Sequence, residues 1–158
     1  MLKINGIVSK ELIEAKLDAV VNSKKRSGAI LECYQEIPCN PCSTSCPFDA
    51  IKVEPDINQT PVIDYDLCTS CGICVYNCPG LAIFVVDLNK DKALFKISYE
   101  LLPIPEKGMI VKGVNRAGVV ICDALVVRVQ NSKAQDHTVL LHVEVDKKYY
   151  EEFVTVRY

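Results

Sequence analysis

The sequence is short of several things, and each shortage removes a class of function. It has no basic surplus: 18 Lys and Arg face 20 Asp and Glu, for a formal charge of −2. A nucleic-acid-binding domain usually carries a clear positive excess. The one basic run, Lys24-Lys25-Arg26, is brief and reads as a solvated stretch between two elements. Long apolar runs are also missing. The longest, residues 81–86 and 119–122, fall far below the roughly 20 residues a membrane-spanning helix needs. Lys3, Lys10, Glu11 and Glu14 interrupt the first 16 residues, so no signal-peptide apolar core is present. There is no G-x-G-x-x-G fingerprint, and the length leaves too little room for a Rossmann domain. The expectation is a cytoplasmic protein with no membrane span, no nucleic-acid partner and no dinucleotide site of its own.

Cysteine is the residue in excess. The chain has nine, and eight of them lie between Cys33 and Cys78. In a reducing cytosol such a cluster argues for metal or redox chemistry over disulfides. It divides the chain into an N-terminal helical extension (residues 1–30), a cysteine-rich domain (31–87) and a β-rich C-terminal extension (88–158). In the first part Ser9 is a candidate N-cap, and Ile13, Leu17, Val20 and Val21 recur at helical spacing. Residues 22–28 read as the helix stop and a turn. In the third part, runs at 119–129, 138–145 and 153–157 have the texture of strands, joined by a hairpin turn at Asn115-Arg116-Ala117-Gly118. Pro103 and Pro105 mark a linker. Val139, Leu141, Val143 and Val145 share one face, with His142 and Glu144 on the other. A small antiparallel barrel or roll is expected there, with no catalytic motif.

The middle part repeats itself. Cys39-x-x-Cys42-x-x-x-Cys46-Pro47 recurs 32 positions later as Cys71-x-x-Cys74-x-x-x-Cys78-Pro79, and Ala50-Ile51 aligns with Ala82-Ile83. Two equivalent halves related by a pseudo-two-fold axis follow, each with a cysteine loop, a short helix after the proline, and a strand. The second half carries the complete C-x₂-C-x₂-C-x₃-C-P run: Cys68, Cys71, Cys74, Cys78 and Pro79. Thiolates three residues apart can each reach a neighbouring iron of one cubane, while the cysteine before the proline points elsewhere. Gly72 permits a loop conformation that a side chain would hinder. Zinc fits poorly, because a tetrahedral ion takes two paired hooks of ligands. A Rieske centre needs two histidines at the cluster. The only two, His137 and His142, lie in the β-rich tail and read as surface residues. Cys122, among Val119, Val120 and Ile121, reads as a packing residue.

The first half departs from the pattern. The position equivalent to Cys68 is Glu36, and the nearest preceding cysteine is Cys33, in a C-x₅-C loop. Three readings are open: Cys33 ligates through a longer loop, Glu36 supplies an oxygen, or the site holds a 3Fe–4S cluster without a fourth ligand. The first is preferred, because a spare thiol this close to a cubane would be an odd coincidence. Pro41 lacks an amide proton that could hydrogen-bond cluster sulfur. Such bonds raise reduction potential, so the two centres are expected to differ.

From Cys39 to Pro79 the chain resembles the bacterial two-cluster ferredoxins. That resemblance implies an α+β unit with two-fold symmetry holding two 4Fe–4S clusters. One would be bound by Cys33, Cys39, Cys42 and Cys78, the other by Cys68, Cys71, Cys74 and Cys46. The stretch from Glu32 to Cys42, with the β-rich extension, also resembles the small iron–sulfur subunits of multi-subunit FAD-dependent dehydrogenases. Those complexes oxidise amino acids, hydroxyproline, opines or related substrates in bacteria, often anaerobes. The implied role is an electron relay from FAD or FMN on a partner flavoprotein subunit to an external acceptor, with no catalytic site in this chain. The alternative is a free-standing ferredoxin. Such carriers tend to be small and strongly acidic, and neither the charge of −2 nor the two extensions fit that well. A purely structural cluster in a binding module would leave both centres redox-inert.

Overall fold

The computed structural model describes residues 5–158; the first four residues of the expected N-terminal extension lie outside the described residues. The fold is α+β, with a few short helices and one large antiparallel sheet. Helix α1 (Lys10–Val21) follows Ser9, which sits at the N-cap in extended backbone but makes no side-chain capping bond. Ile13, Leu17 and Val20 are its buried stripe, and Asn22 closes it. The chain then turns into β1 (Ser27–Leu31). The cysteine-rich region contributes α2 (Pro41–Thr44), β2 (Ile51–Lys52), β3 (Val62–Ile63), α3 (Ile73–Asn77) and β4 (Ile83–Asp87). The rest supplies β5 (Lys92–Tyr99), β6 (Ile110–Asn115), β7 (Val120–Gln130), β8 (Val139–Asp146) and β9 (Phe153–Arg157).

Seven strands join in the order β1-β4-β5-β8-β7-β6-β9, while β2 and β3 form a separate pair. The sheet cannot be flat. Phe153 on β9 lies four strands from β5, which would put it roughly 19 Å away at ordinary strand spacing. Its ring centroid is instead 4.6 Å from that of Phe95. The sheet therefore curls back over a core of Phe95, Phe153, Leu141, Val143 and Val126, closed by Leu17 and Val20 of α1.

Two findings differ from the expectations. Strands of residues 88–158 do not stand apart: β5 is hydrogen-bonded to β4 of the cysteine-rich region, and β1 spans the expected boundary at residue 30. Long-range pairing, which has no local signature, makes this join. His142 is also buried, at 7% exposure, while His137 is exposed. Alternation assigned His142 to a polar face, but β8 lies mid-sheet and that face is covered by the cysteine-rich region. Leu140, two residues away, packs there with Cys68, Cys74 and Val75.

Candidate metal centres

The sequence repeat is carried by the backbone. Helices α2 and α3 begin 32 positions apart, at Pro41 and Ile73, and both lie within the cysteine loops, before Pro47 and Pro79 and not after them as expected; the chain past each proline turns directly into a strand. β2 meets β3 with Ile51 opposite Ile63, and β4 meets β1 with Ile83 opposite Leu31. Applying the same offset turns one pairing into the other. Asp64 N donates to Ala50 O and Glu32 N to Ala82 O, each at 2.8 Å. Asp49 and Leu81, again equivalent, both adopt positive φ, at 54° and 50°. Pro41 occupies the first turn of α2, where no amide donor is needed. Gly72 is the N-cap of α3 at φ 90°, ψ 6°, the left-handed conformation expected of it.

These loops enclose two cavities. The first, about 330 Å³ of atom-free space partly open to solvent, is lined by Cys46, Cys68, Cys71 and Cys74, with Ala29, Ile51 and Val85 as its apolar floor. The second, about 380 Å³, is lined by Cys33, Cys39, Cys42 and Cys78, with Ile37, Pro61 and Ile83. Each thus draws three cysteines from one half of the repeat and one from the other. Cys33 lines the second cavity, whereas Glu36 is exposed and does not. Cys122 borders the other core, and its thiol packs against Gly113 so closely that a Cβ there would stand 2.6 Å from the sulfur. Among the described residues, no three His, Cys, Asp or Glu side chains converge closely enough for a lone metal ion. The eight thiols stand around volumes, and a donor set of four soft sulfurs in an apolar pocket suits an iron–sulfur cluster.

Burial shapes the chemistry of these thiols. Cys42, Cys68 and Cys74 are buried and Cys71 is exposed. Burial, then the neighbouring Cys71 and Cys68, pushes Cys74 up to about 12. Burial and then Cys78 push Cys42 up to about 11. Without metal these groups stay protonated, so metal binding must release protons.

Several side chains that support the loops were not legible in the sequence. Lys96 of β5 donates from Nζ to Ser70 O at 2.6 Å. Lys25, read above as part of a solvated stretch, donates to Asp66 O and Cys68 O, both at 2.8 Å. Arg116, in the β6–β7 turn, grips Glu32 beside Cys33: Nε lies 3.0 and 3.1 Å from its two carboxylate oxygens, and Nη2 also bonds Oε1. Arg116 Nη1 further donates to Glu151 O at 3.0 Å. Nothing in the local pattern around these cations distinguishes them from surface charges.

Comparison with known proteins agrees with the site. Residues 37–82 match the model of the 4Fe-4S dicluster domain. The chain is 34% identical over 58 residues to the ferredoxin-type protein NapF of Haemophilus influenzae, covering 35% of this chain and 33% of that protein. It is 34% identical over 83 residues to an uncharacterized ferredoxin of Methanocaldococcus jannaschii, with 39% and 53% covered. A third relative is the ABC transporter E family member 1 of Arabidopsis thaliana, 33% identical over 103 residues, with 56% and 16% covered. The chain therefore spans about a third and a half of the two ferredoxin relatives. No solved structure matches it. Residues 37–82 thus carry the likeness of a ferredoxin-type 4Fe-4S dicluster domain, with the cysteines of both cavities other than Cys33 inside the matched stretch. Among the described residues, no helix is long and apolar enough to cross a membrane.

Proposed function

We propose that the chain holds two 4Fe–4S clusters, one by Cys33, Cys39, Cys42 and Cys78, the other by Cys46, Cys68, Cys71 and Cys74. As a cytoplasmic electron-relay subunit it connects FAD or FMN on a partner dehydrogenase to an external acceptor. The observation that carries the two-cluster reading is the crossing of Cys46 and Cys78 into each other's cavities. Bound clusters would supply reversible one-electron carriage. The protein's own residues supply the rest. Four thiolates would hold each centre, the apolar floors would keep water off it, and the crossed cysteines make both sites depend on one folded unit. Exposed Cys71 leaves one corner of its site open to a redox partner, while buried Cys68 and Cys74 close the back. The N-terminal helix and the β-rich extension, both beyond a minimal ferredoxin, support the partner reading.

The test is anaerobic purification from native cells, with iron and acid-labile sulfide counted and associated chains and flavin identified. The reading expects eight irons and a co-purifying flavoprotein. Cys33→Ser should abolish one 4Fe–4S EPR signal and leave the other; an unchanged pair of signals would rule Cys33 out as a ligand. The second reading, a free-standing carrier, is favoured by the names of the two ferredoxin relatives. Recovery as a monomer without flavoprotein would establish it.

A further inference from the structure

One row of the sheet runs from a thiol-lined cavity into the C-terminal extension. Register places Ala29, Val85, Lys96, His142 and Arg128 side by side across β1, β4, β5, β8 and β7. The first two are the floor of the cavity of Cys46, Cys68, Cys71 and Cys74. The next strand carries Lys96, half-buried, its ammonium 2.6 Å from the carbonyl of Ser70, the residue before Cys71. Lys25 reaches the carbonyl of Cys68 in the same loop. A Cβ on Gly72 would come within 3.5 Å of Lys96 Cδ, so the lysine stem lies directly against the loop. Three carboxylates share this region: exposed Asp64 and Asp66, which water screens, and half-buried Asp87. The other cavity has no counterpart. Among the described residues, no side-chain cation donates to a carbonyl of residues 33–42. Half-buried Lys16 faces Cys33 electrostatically but bonds no carbonyl of its loop, its ammonium lying over the Tyr34 ring at 5.1 Å, and Glu32 there is already paired with Arg116.

Reduction of a cluster adds negative charge, and a cation held close in a weakly screening site favours the reduced state. We infer that half-buried Lys96 is a positioning residue, the exposed Lys25 and Arg128 adding only a charge that water screens as it does Asp64 and Asp66. It gives the centre bound by Cys46, Cys68, Cys71 and Cys74 the higher reduction potential of the two. The inference rests on the two-cluster reading above. An iron count on the wild-type protein tests that reading separately: fewer than eight irons would sink the two-cluster assignment without touching the contacts of Lys96.

The experiment is an EPR-monitored redox titration of the whole cluster-loaded chain, with iron counted in every variant. Lys96→Gln keeps a donor for Ser70 O but removes the charge. It should lower the higher of the two midpoint potentials and leave the other in place. Lys96→Arg should restore it, and Lys25→Gln should lower the same potential by less. The inference is overturned if only the lower potential moves, if both move equally, or if neither moves while both clusters are retained. It is also overturned if Lys96→Gln and Lys25→Gln both lose the cluster while Lys96→Arg keeps it, since that pattern marks a purely holding role.

Discussion

At the scale of single residues, the centres depend on atoms that are missing as much as on atoms that bind. Gly72 sits between Cys71 and Cys74 at φ 90°, and a Cβ there would stand 3.0 Å from Leu140 Cδ2 of β8. Both the backbone conformation and the close approach require glycine. Gly72→Ala should therefore cost about 1–3 kcal/mol, from strain at positive φ and overpacking against Leu140. Thermal unfolding of the loaded protein measures it; a variant within error of wild type would remove Leu140 as a constraint on the loop. Arg116 shows the converse. Its partner Glu32 is one residue from Cys33, and both side chains are largely buried, at 12% and 14% exposure. Arg116→Ala would leave a buried carboxylate without its cation, a loss of about 2–4 kcal/mol. The damage should concentrate at the cavity of Cys33, read as faster bleaching of one cluster signal than the other.

Among the elements, β8 carries the most consequential surprise. His142 Nε2 donates to Gln130 Oε1 at 2.5 Å, and the ring is flanked by Lys96 and Arg128 on the neighbouring strands. Burial, then those two cations, pushes its pKa down from 6.5 to about 4. Between these values the unfolded chain binds a proton that the folded chain refuses. The stabilising contribution is thus complete above pH 6.5 and is lost as pH falls toward 4. From pH 7 to pH 5 that loss is about 1–2 kcal/mol. His142→Gln should flatten the pH dependence of unfolding over this window by that amount; an identical slope in both proteins would contradict it. This element also shows how far local pattern reaches. The alternation of β8 was legible, and so were α1 and the β6–β7 turn, because their signals lie within a few neighbouring residues. The fate of the polar face was not, since it depends on Leu140 and His142 meeting loops some 70 residues earlier in the chain. The cysteine repeat was legible because ligand spacing is local and the two halves share one offset, but the place of each short helix, before Pro47 and Pro79 and not after them, was not. β1, written Ser-Gly-Ala-Ile-Leu, and β5 gained their identity only from β4 between them.

For the whole molecule, the question is whether the cysteine-rich region could stand without its extensions. β4 pairs with β1 on one side and with β5 on the other, and the row carrying Lys96 continues the floor of a cavity. Removing residues 88–158 would strip Ile13, Leu17, Val20, Phe84 and Val86 of most of their neighbours, and each is now at most 4% exposed. At about 1.5–3 kcal/mol per buried apolar side chain, even half of that loss rivals the roughly 5–15 kcal/mol that holds a whole domain folded. The truncated chain would also lose Lys96 from the Ser70 carbonyl and Arg116 from Glu32. A chain ending at Asp87 should therefore be recovered mostly insoluble, and its soluble fraction should carry well under half the iron of the full protein. Expression of both lengths under the same anaerobic conditions, with iron counted per chain, makes the comparison. Full iron occupancy and wild-type EPR signals in the short chain would mean that the extension is a passive addition, free to serve a partner alone. Loss of both would mean that it is part of what builds the centres.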